Sequence, residues 1–269
     1  MEPSEVQVRE ESLIQISDVS KVYTTIGGEE IPALERVSLE VREKEFVAIV
    51  GPSGCGKSTL LKIIVGLLPV TSGKVTIGGK LVSKPQQGVG MVFQTPVLLQ
   101  WRKVLENVML PIEILDLDSE SYRKEALALL NLVGLQGFEN KYPFELSGGM
   151  QQRVSICRAL ICDPPLLLMD EPFGALDALT RDDMNLELLK IWETKKKTAI
   201  FVTHSIPEAV FLADRVLVMS ARPGRFIADE TIELERPRRM DTKFSEKYVD
   251  YVRRISRSLR VEPSVPGEH

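Results

Sequence analysis

The chain has 269 residues, of which 43 % are hydrophobic and 27 % charged, and it carries a formal net charge of −4. That balance describes a globular protein of one large or two modest domains, and the mildly acidic charge, spread along the chain, gives no support to nucleic acid as a main partner. The longest apolar stretches, around Leu60 to Val70 and Val210 to Met219, are interrupted by Lys62 and by Asp214-Arg215 and fall short of a bilayer span.

In chain order, the opening Met1-Glu-Pro-Ser-Glu5 is polar and acidic, unlike a signal peptide, and three unpatterned cysteines imply no disulfide framework, so a cytoplasmic location is expected. Strand-like runs follow at Leu13-Ile-Gln-Ile16, Val37-Ser-Leu-Glu-Val41, Lys74 to Ile77 and Val89 to Phe93, with turns at Gly27-Gly28, Gly78-Gly79 and Gly88. Within this β-rich part, the β-branched run Glu45-Phe-Val-Ala-Ile-Val50 leads into Gly51-Pro-Ser-Gly-Cys-Gly-Lys-Ser58, and helical spacing then covers Thr59 to Leu68. From Val104 to Leu160 the period is helical, including Ser121 to Val133 and Gln151 to Leu160, with breaks predicted at Pro111, Gly134, Gly137 and Pro143. This reads as an inserted helical unit. Pro164-Pro165 leads back to buried-strand runs at Leu166 to Met169, Thr198 to Thr203 and Arg215 to Met219, separated by a helix over roughly Thr180 to Thr194. Arg236-Pro-Arg-Arg239 opens a tail in which Phe244, Tyr248, Val252, Ile255 and Leu259 recur at helical spacing, opposite Lys247, Asp250 and Arg254. That apolar face is expected to dock on the protein's own core or on a second copy, in preference to a membrane surface.

The octet Gly51 to Ser58 fits the G-x-x-x-x-G-K-[ST] phosphate cradle, which chance supplies in roughly 1 % of chains of this length. Gly51, Gly54 and Gly56 let the backbone approach an anion, so that consecutive N–H groups and the following helix's positive end face the phosphates. Lys57 has the reach for β- and γ-phosphates, Ser58 has the hydroxyl for Mg²⁺, and Thr59 stands beside it. The competing reading is a solvated Gly-Ser turn. Cys55 sits at a helix start where a thiolate would be stabilised, unless it is simply a small side chain that fits; Cys157 and Cys162 read as core. A second glycine-opened helix start, Leu146-Ser147-Gly148-Gly149-Met150-Gln151, offers another phosphate contact.

Leu166-Leu-Leu-Met-Asp170-Glu171 places two carboxylates at the carboxyl end of a buried strand, where open α/β sheets bind ligands. Asp170 suits the Mg²⁺ environment and Glu171 a general base acting on water, although the pair could equally close an acidic turn with Pro172. The only histidine besides His269 is His204, at the end of the run Thr198 to Thr203. A lone histidine is more often structural, but this position favours contact with a γ-phosphate.

From Leu13 to about Ile232 the order of motifs resembles the ABC ATPase family: Gly51 to Ser58 as Walker A, Gln94 as Q-loop, Leu146 to Gln151 as signature, Leu166 to Glu171 as Walker B, Ala175-Leu176-Asp177 as D-loop and His204 as H-loop. The resemblance implies an α/β P-loop NTPase: a RecA-like core with an antiparallel β-subdomain and an inserted helical subdomain at about 96–159. The nucleotide-binding domain would span 12–233 and a helical tail 234–269. It implies ATP and Mg²⁺, with Gly51, Pro52, Ser53, Gly54, Cys55, Gly56, Lys57, Ser58 and Thr59 around the phosphates. Tyr23 would stack on adenine, where it would otherwise be an ordinary strand aromatic. Ser58, Gln94 and Asp170 would serve the metal, and Glu171, His204 and Gln94 the catalysis. Ser147, Gly148, Gly149 and Gln151 of one protomer would close on the nucleotide of another in an ATP-sandwich dimer, with Asp177 coupling the two sites.

The segment Thr95 to Asn107, containing Trp101-Arg102, and the run Met219-Ser-Ala-Arg-Pro-Gly-Arg225 resemble the nitrate/sulfonate/taurine importer group, with Gln100 where that group usually has proline. This resemblance implies a small, often anionic solute, transmembrane permease subunits, an external solute-binding protein reached through the permease, and a place on the cytoplasmic face of the membrane. Trp101 is either a packing residue or a surface for a transmembrane coupling helix. The alternative is the ATPase of an exporter or lipid-transport complex. A DNA-repair ATPase would need a coiled-coil insertion, a translation factor would usually carry two cassettes, and some 35 tail residues are too few for the regulatory β-domain of sugar importers. An ATP clamp without hydrolysis is disfavoured by the presence of Glu171, Gln94 and His204.

Overall fold

Strands β3 (Phe46–Val50), β7 (Leu166–Asp170) and β8 (Thr198–Thr203) have every residue buried, because unbroken runs such as Phe-Val-Ala-Ile-Val suit a parallel sheet covered on both faces. In the computed structural model, which describes residues 12–174 and 176–260, they form the middle of a six-stranded sheet. Its order is β10-β9-β3-β8-β7-β6, with β6 at Val89–Val92, β9 at Arg215–Met219 and β10 at Phe226–Thr231. All its pairs are parallel except β10 with β9.

The two-residue period of the strands divides the core. Phe46, Ala48, Val50, Ala199 and Phe201 enter one apolar cluster, and Val47, Ile49, Ile200 and Val202 enter another. Helix α1 (Lys57–Ile64) and a four-stranded sheet of order β2-β1-β4-β5 cover the second cluster. Those strands are β1 (Ser12–Thr24), β2 (Glu30–Arg42), β4 (Ser72–Ile77) and β5 (Lys80–Leu81), all antiparallel to their neighbours. The first cluster carries α2 (Val104–Ile114), α3 (Ser119–Leu132), α4 (Gly148–Leu160), α5 (Ala178–Lys195), α6 (Ile206–Leu212) and α7 (Glu246–Arg260).

Several boundaries differ from the sequence expectation. Helix α1 stops at Ile64 instead of Leu68, because Gly66 turns left-handed at φ 81° and the N–H groups of Gly66 and Leu67 fold back onto the carbonyls of Ile63 and Lys62. Pro111 lies inside α2 and does not break it; the Leu115 N–H still reaches the Pro111 carbonyl, so the ring removes only one donor. Helix α4 starts at Gly148 where periodicity alone gave Gln151, since the Ser147 hydroxyl accepts the Met150 N–H and caps it. In α7, Tyr248, Tyr251 and Ile255 are buried in the first cluster, with Val252 and Leu259 packed against it. Phe244 is an exception: it sits in a short 3₁₀ turn, Met240–Phe244, and is exposed. Ala175, the opening residues Met1 to Glu5 and His269 lie outside the described residues. Among the described residues no helix is long and apolar enough to cross a membrane.

Candidate nucleotide site

The carboxyl ends of β3, β7 and β8 bring together the Gly51 to Ser58 loop, the acids Asp170 and Glu171, and His204. The loop opens α1 through Gly56, whose φ of 112° is closed to other residues and whose added Cβ would stand 2.8 Å from the Ala33 carbonyl oxygen. Behind it, Gly224 presses the β9–β10 turn against the loop; a Cβ there would meet the Cys55 carbonyl oxygen at 2.2 Å. The strand-to-helix turn is thus set by close backbone packing.

Lys57 is buried, and its Nζ donates to the carbonyls of Gly51 and Pro52, both at 2.9 Å. It also lies 3.7 Å from Glu171 Oε1, while the other oxygen of that carboxylate is 2.9 Å from His204 Nδ1. Ser58 Oγ donates to Asp170 Oδ1 at 2.8 Å. Burial raises the Asp170 carboxyl above its ordinary value; the Ser58 hydrogen bond opposes this and the neighbouring Glu171 charge adds to it. Glu171 itself has φ 43°, a left-handed conformation uncommon outside glycine, and its N–H is tied to the Val202 carbonyl at 2.9 Å.

Around this centre, the Tyr23 hydroxyl lies 3.3 Å from Thr59 Oγ1, and its partly exposed ring has Lys21 Nζ 5.3 Å from the centroid. Pro52, Ser53 and Gly54 are exposed on the loop. Cys55 is buried in the second core cluster, where burial pushes its thiol up despite Lys57, in keeping with a small side chain that fits the loop. Gln94 is exposed just beyond β6. Helix α4 grips the backbone on either side of it, with Gln152 Nε2 donating to the Phe93 carbonyl at 3.1 Å and Arg158 donating to those of Pro96 and Val97 at 2.8 and 2.9 Å.

The signature residues form a second group. Ser147 and Gly148 are exposed at the start of α4, and a Cβ on Gly149 would touch Thr180 Cγ2 at 3.3 Å and Leu176 Cδ2 at 3.4 Å. The start of α5 is therefore adjacent. Asp177 caps it, accepting from Thr180 N at 3.1 Å and Thr180 Oγ1 at 2.7 Å, and these contacts hold its carboxyl below the ordinary value. Gln151 turns inward, its amide donating to the carbonyls of Pro143 and Leu146. Among the described residues no hydrogen bond or ion pair joins this group to the phosphate loop of the same chain.

Sequence reading passed over Gln152, Arg158 and Glu208. Only Glu208 had a local signal, since Ser205-Ile-Pro-Glu208 fits the S-x-x-E pattern of a helix start.

A glycine loop between strand and helix, a buried lysine on its carbonyls and an acid pair at the end of β7 define a P-loop nucleoside triphosphatase. The ABC transporter family model matches residues 34–174. An ABC transporter ATP-binding protein of Methanocaldococcus jannaschii is 47 % identical over 93 % of this chain and 92 % of its own. A taurine import ATP-binding protein of Rhizobium johnstonii is 47 % identical over 80 % of this chain and 82 % of its own. Among solved structures, a dimeric ATP-binding cassette in a post-hydrolysis state bound to ADP and Pi superposes with a TM-score of 0.73 at 37 % identity, covering 82 % of this chain and 100 % of that one. The chain belongs to the ABC transporter family, as the ATP-binding and ATP-hydrolysing subunit.

Proposed function

We propose that this protein is the cytoplasmic motor of an importer for a small anionic solute of the sulfonate type, working with permease subunits and, through them, an external solute-binding protein. The taurine-import relative supports the solute class, taurine being an aminosulfonate, and favours import over the exporter or lipid-transport alternative. Trp101, 74 % exposed in the segment after Gln94, is free to meet a permease helix and is not a packing residue. In this reading 12–233 is the nucleotide-binding domain, with its helical subdomain at about 96–159, and 234–269 is the tail.

The observation that carries the catalytic part is the Glu171 carboxylate held between Lys57 and His204. Glu171 takes a proton from the attacking water as its oxygen bonds to the γ-phosphorus and ADP leaves. His204 orients Glu171 and faces the γ-phosphate, Lys57 balances phosphate charge, the loop N–H groups of Gly51 to Thr59 cradle the phosphates, and Tyr23 offers its face to adenine. Ser58, Asp170 and Gln94 would supply the hard oxygen donors that suit Mg²⁺, a reading supported for the first two by their 2.8 Å contact. A Mg²⁺ ion held by these residues would neutralise phosphate charge.

The signature face serves a second copy. A Cβ at Gly148 would meet nothing within 4 Å, so among the described residues no contact calls for glycine there, whereas the nucleotide of a partner protomer would. Ser147, Gly148, Gly149 and the inward-braced Gln151 form that face, and Asp177 lies beside it to couple the two sites.

The test is Glu171→Gln. ATP hydrolysis should fall by about 10²–10⁴-fold, while size-exclusion chromatography shows a dimer that forms only with ATP. Wild-type turnover in the variant would remove Glu171 from the role of base.

A further inference from the structure

One buried hydroxyl ties together the residues on either side of His204. Thr203 Oγ1, at the end of β8, accepts the Ser205 N–H at 3.0 Å and donates its own proton to Glu208 Oε2. Where a glutamate three residues after the cap reaches back to the cap N–H, it closes a capping box. Here the Thr203 hydroxyl stands between the two, and Glu208 fixes that hydroxyl's direction.

The environment allows Glu208 little freedom. It is 6 % exposed, and α6 is held at both ends: the Tyr248 hydroxyl donates to the Pro207 carbonyl at 2.9 Å, and Arg238 Nη1 donates to the carbonyls of Val210, Phe211 and Ala213. The remaining oxygen of Glu208, Oε1, is buried without a hydrogen bond, as is Oδ1 of Asn185 on α5.

We propose that Glu208 is a positioning residue for ATP hydrolysis: through Thr203 Oγ1 it fixes the backbone flanking His204, and with it the 2.9 Å approach of His204 to Glu171. The inference rests on the roles given above to His204 and Glu171. It extends the site inward by two layers, from the histidine to Thr203 and from Thr203 to α6. The competing role for Glu208 is stabilisation of α6 alone.

Four variants of the full chain, assayed with Mg-ATP, decide between them. Glu208→Leu and Thr203→Val each break the relay and should lower kcat by about 10-fold or more while KM for ATP stays within about 2-fold. Glu208→Gln, whose amide oxygen can still accept from the Thr203 hydroxyl, should restore kcat to within about 3-fold of wild type. A lowered Tm with wild-type kcat per folded molecule, in Glu208→Leu or Thr203→Val, would overturn the proposal, and Thr203→Val alone decides if Glu208→Leu fails to fold. Failure of Glu208→Gln to restore kcat would overturn it too. His204→Ala separates the layers: wild-type turnover there sinks the histidine's role and this inference together, whereas a large loss there beside unimpaired Glu208→Leu sinks the inference alone.

Discussion

Two helices in this chain begin at glycines, and their surroundings differ. At the start of α1, Gly56 is wedged against the Ala33 carbonyl, Lys57 is bonded to the carbonyls of Gly51 and Pro52, and Ser58 to Asp170. At the start of α4, the Ser147 hydroxyl accepts the Met150 N–H of its own helix, and among the described residues nothing lies within 4 Å of a Cβ placed on Gly148. One half-site is complete within the chain; the other carries the dipole and the small residues but no partner of its own. That contrast is the one the proposed dimer requires, and the cassette that the chain resembles is dimeric.

Gly56→Ala is the strongest way to sharpen that contrast. A Cβ at φ 112° is strained, and it would lie 2.8 Å from a backbone oxygen that the core prevents from moving. Stability should drop by roughly 2–3 kcal/mol, read as a lower midpoint in urea at unchanged slope, with ATP binding lost as well. An unchanged midpoint would mean that the loop's shape is not set by this packing.

The acids of the two regions separate the same way. Burial lifts Asp170 and Glu208 above their ordinary values of 3.8 and 4.5, whereas the Thr180 contacts hold exposed Asp177 below 3.8. For the raised pair the folded state binds protons more tightly, so their contribution to stability is full below the ordinary values and is lost as pH rises through the raised ones. For Asp177 the contribution is present above the ordinary value and is lost as pH falls through the lowered one. Glu208→Gln removes one raised group, so its Tm should gain on that of the wild type as pH climbs from 4.5 toward neutrality. Parallel curves would show that Glu208 ionises without cost and that burial does not distinguish the two regions.

What the sequence reveals follows the same division between local and distant. The phosphate loop is legible because strand, glycines and helix are contiguous, and Asp170-Glu171 because an apolar run ends there. His204 stands out only because there is no other interior histidine. Gln152 and Arg238 are invisible by comparison, since each acts on a backbone atom brought near by tertiary folding, and the helix-start pattern that marks Glu208 does not reveal its bond to Thr203. Strand β10, Phe-Ile-Ala-Asp-Glu-Thr, escapes a search for buried runs because it is an edge strand with only partial burial, tied to β9 in part by Arg215 on Asp229. Phe244 satisfies the helical period of the tail, yet the 3₁₀ turn that holds it lies outside α7 and leaves it exposed.

Gly148→Ala has the smallest effect on the chain itself and is the most direct test of the comparison. The helix gains its preferred residue, the added Cβ meets nothing within 4 Å, and Gly148 is not among the left-handed glycines. The monomer should therefore be unchanged or more stable by at most about 1 kcal/mol. In the dimer the same methyl stands where a partner's nucleotide must approach the helix start, so the ATP-dependent dimer on a gel-filtration column should weaken and turnover fall with it. Loss of monomer stability comparable to that of Gly56→Ala would erase the difference between the two helix starts. A stable monomer that still dimerises and hydrolyses ATP at full rate would leave the first half-site in place and remove Gly148 from the second, because a face that tolerates a methyl group at its centre is not one on which a triphosphate closes.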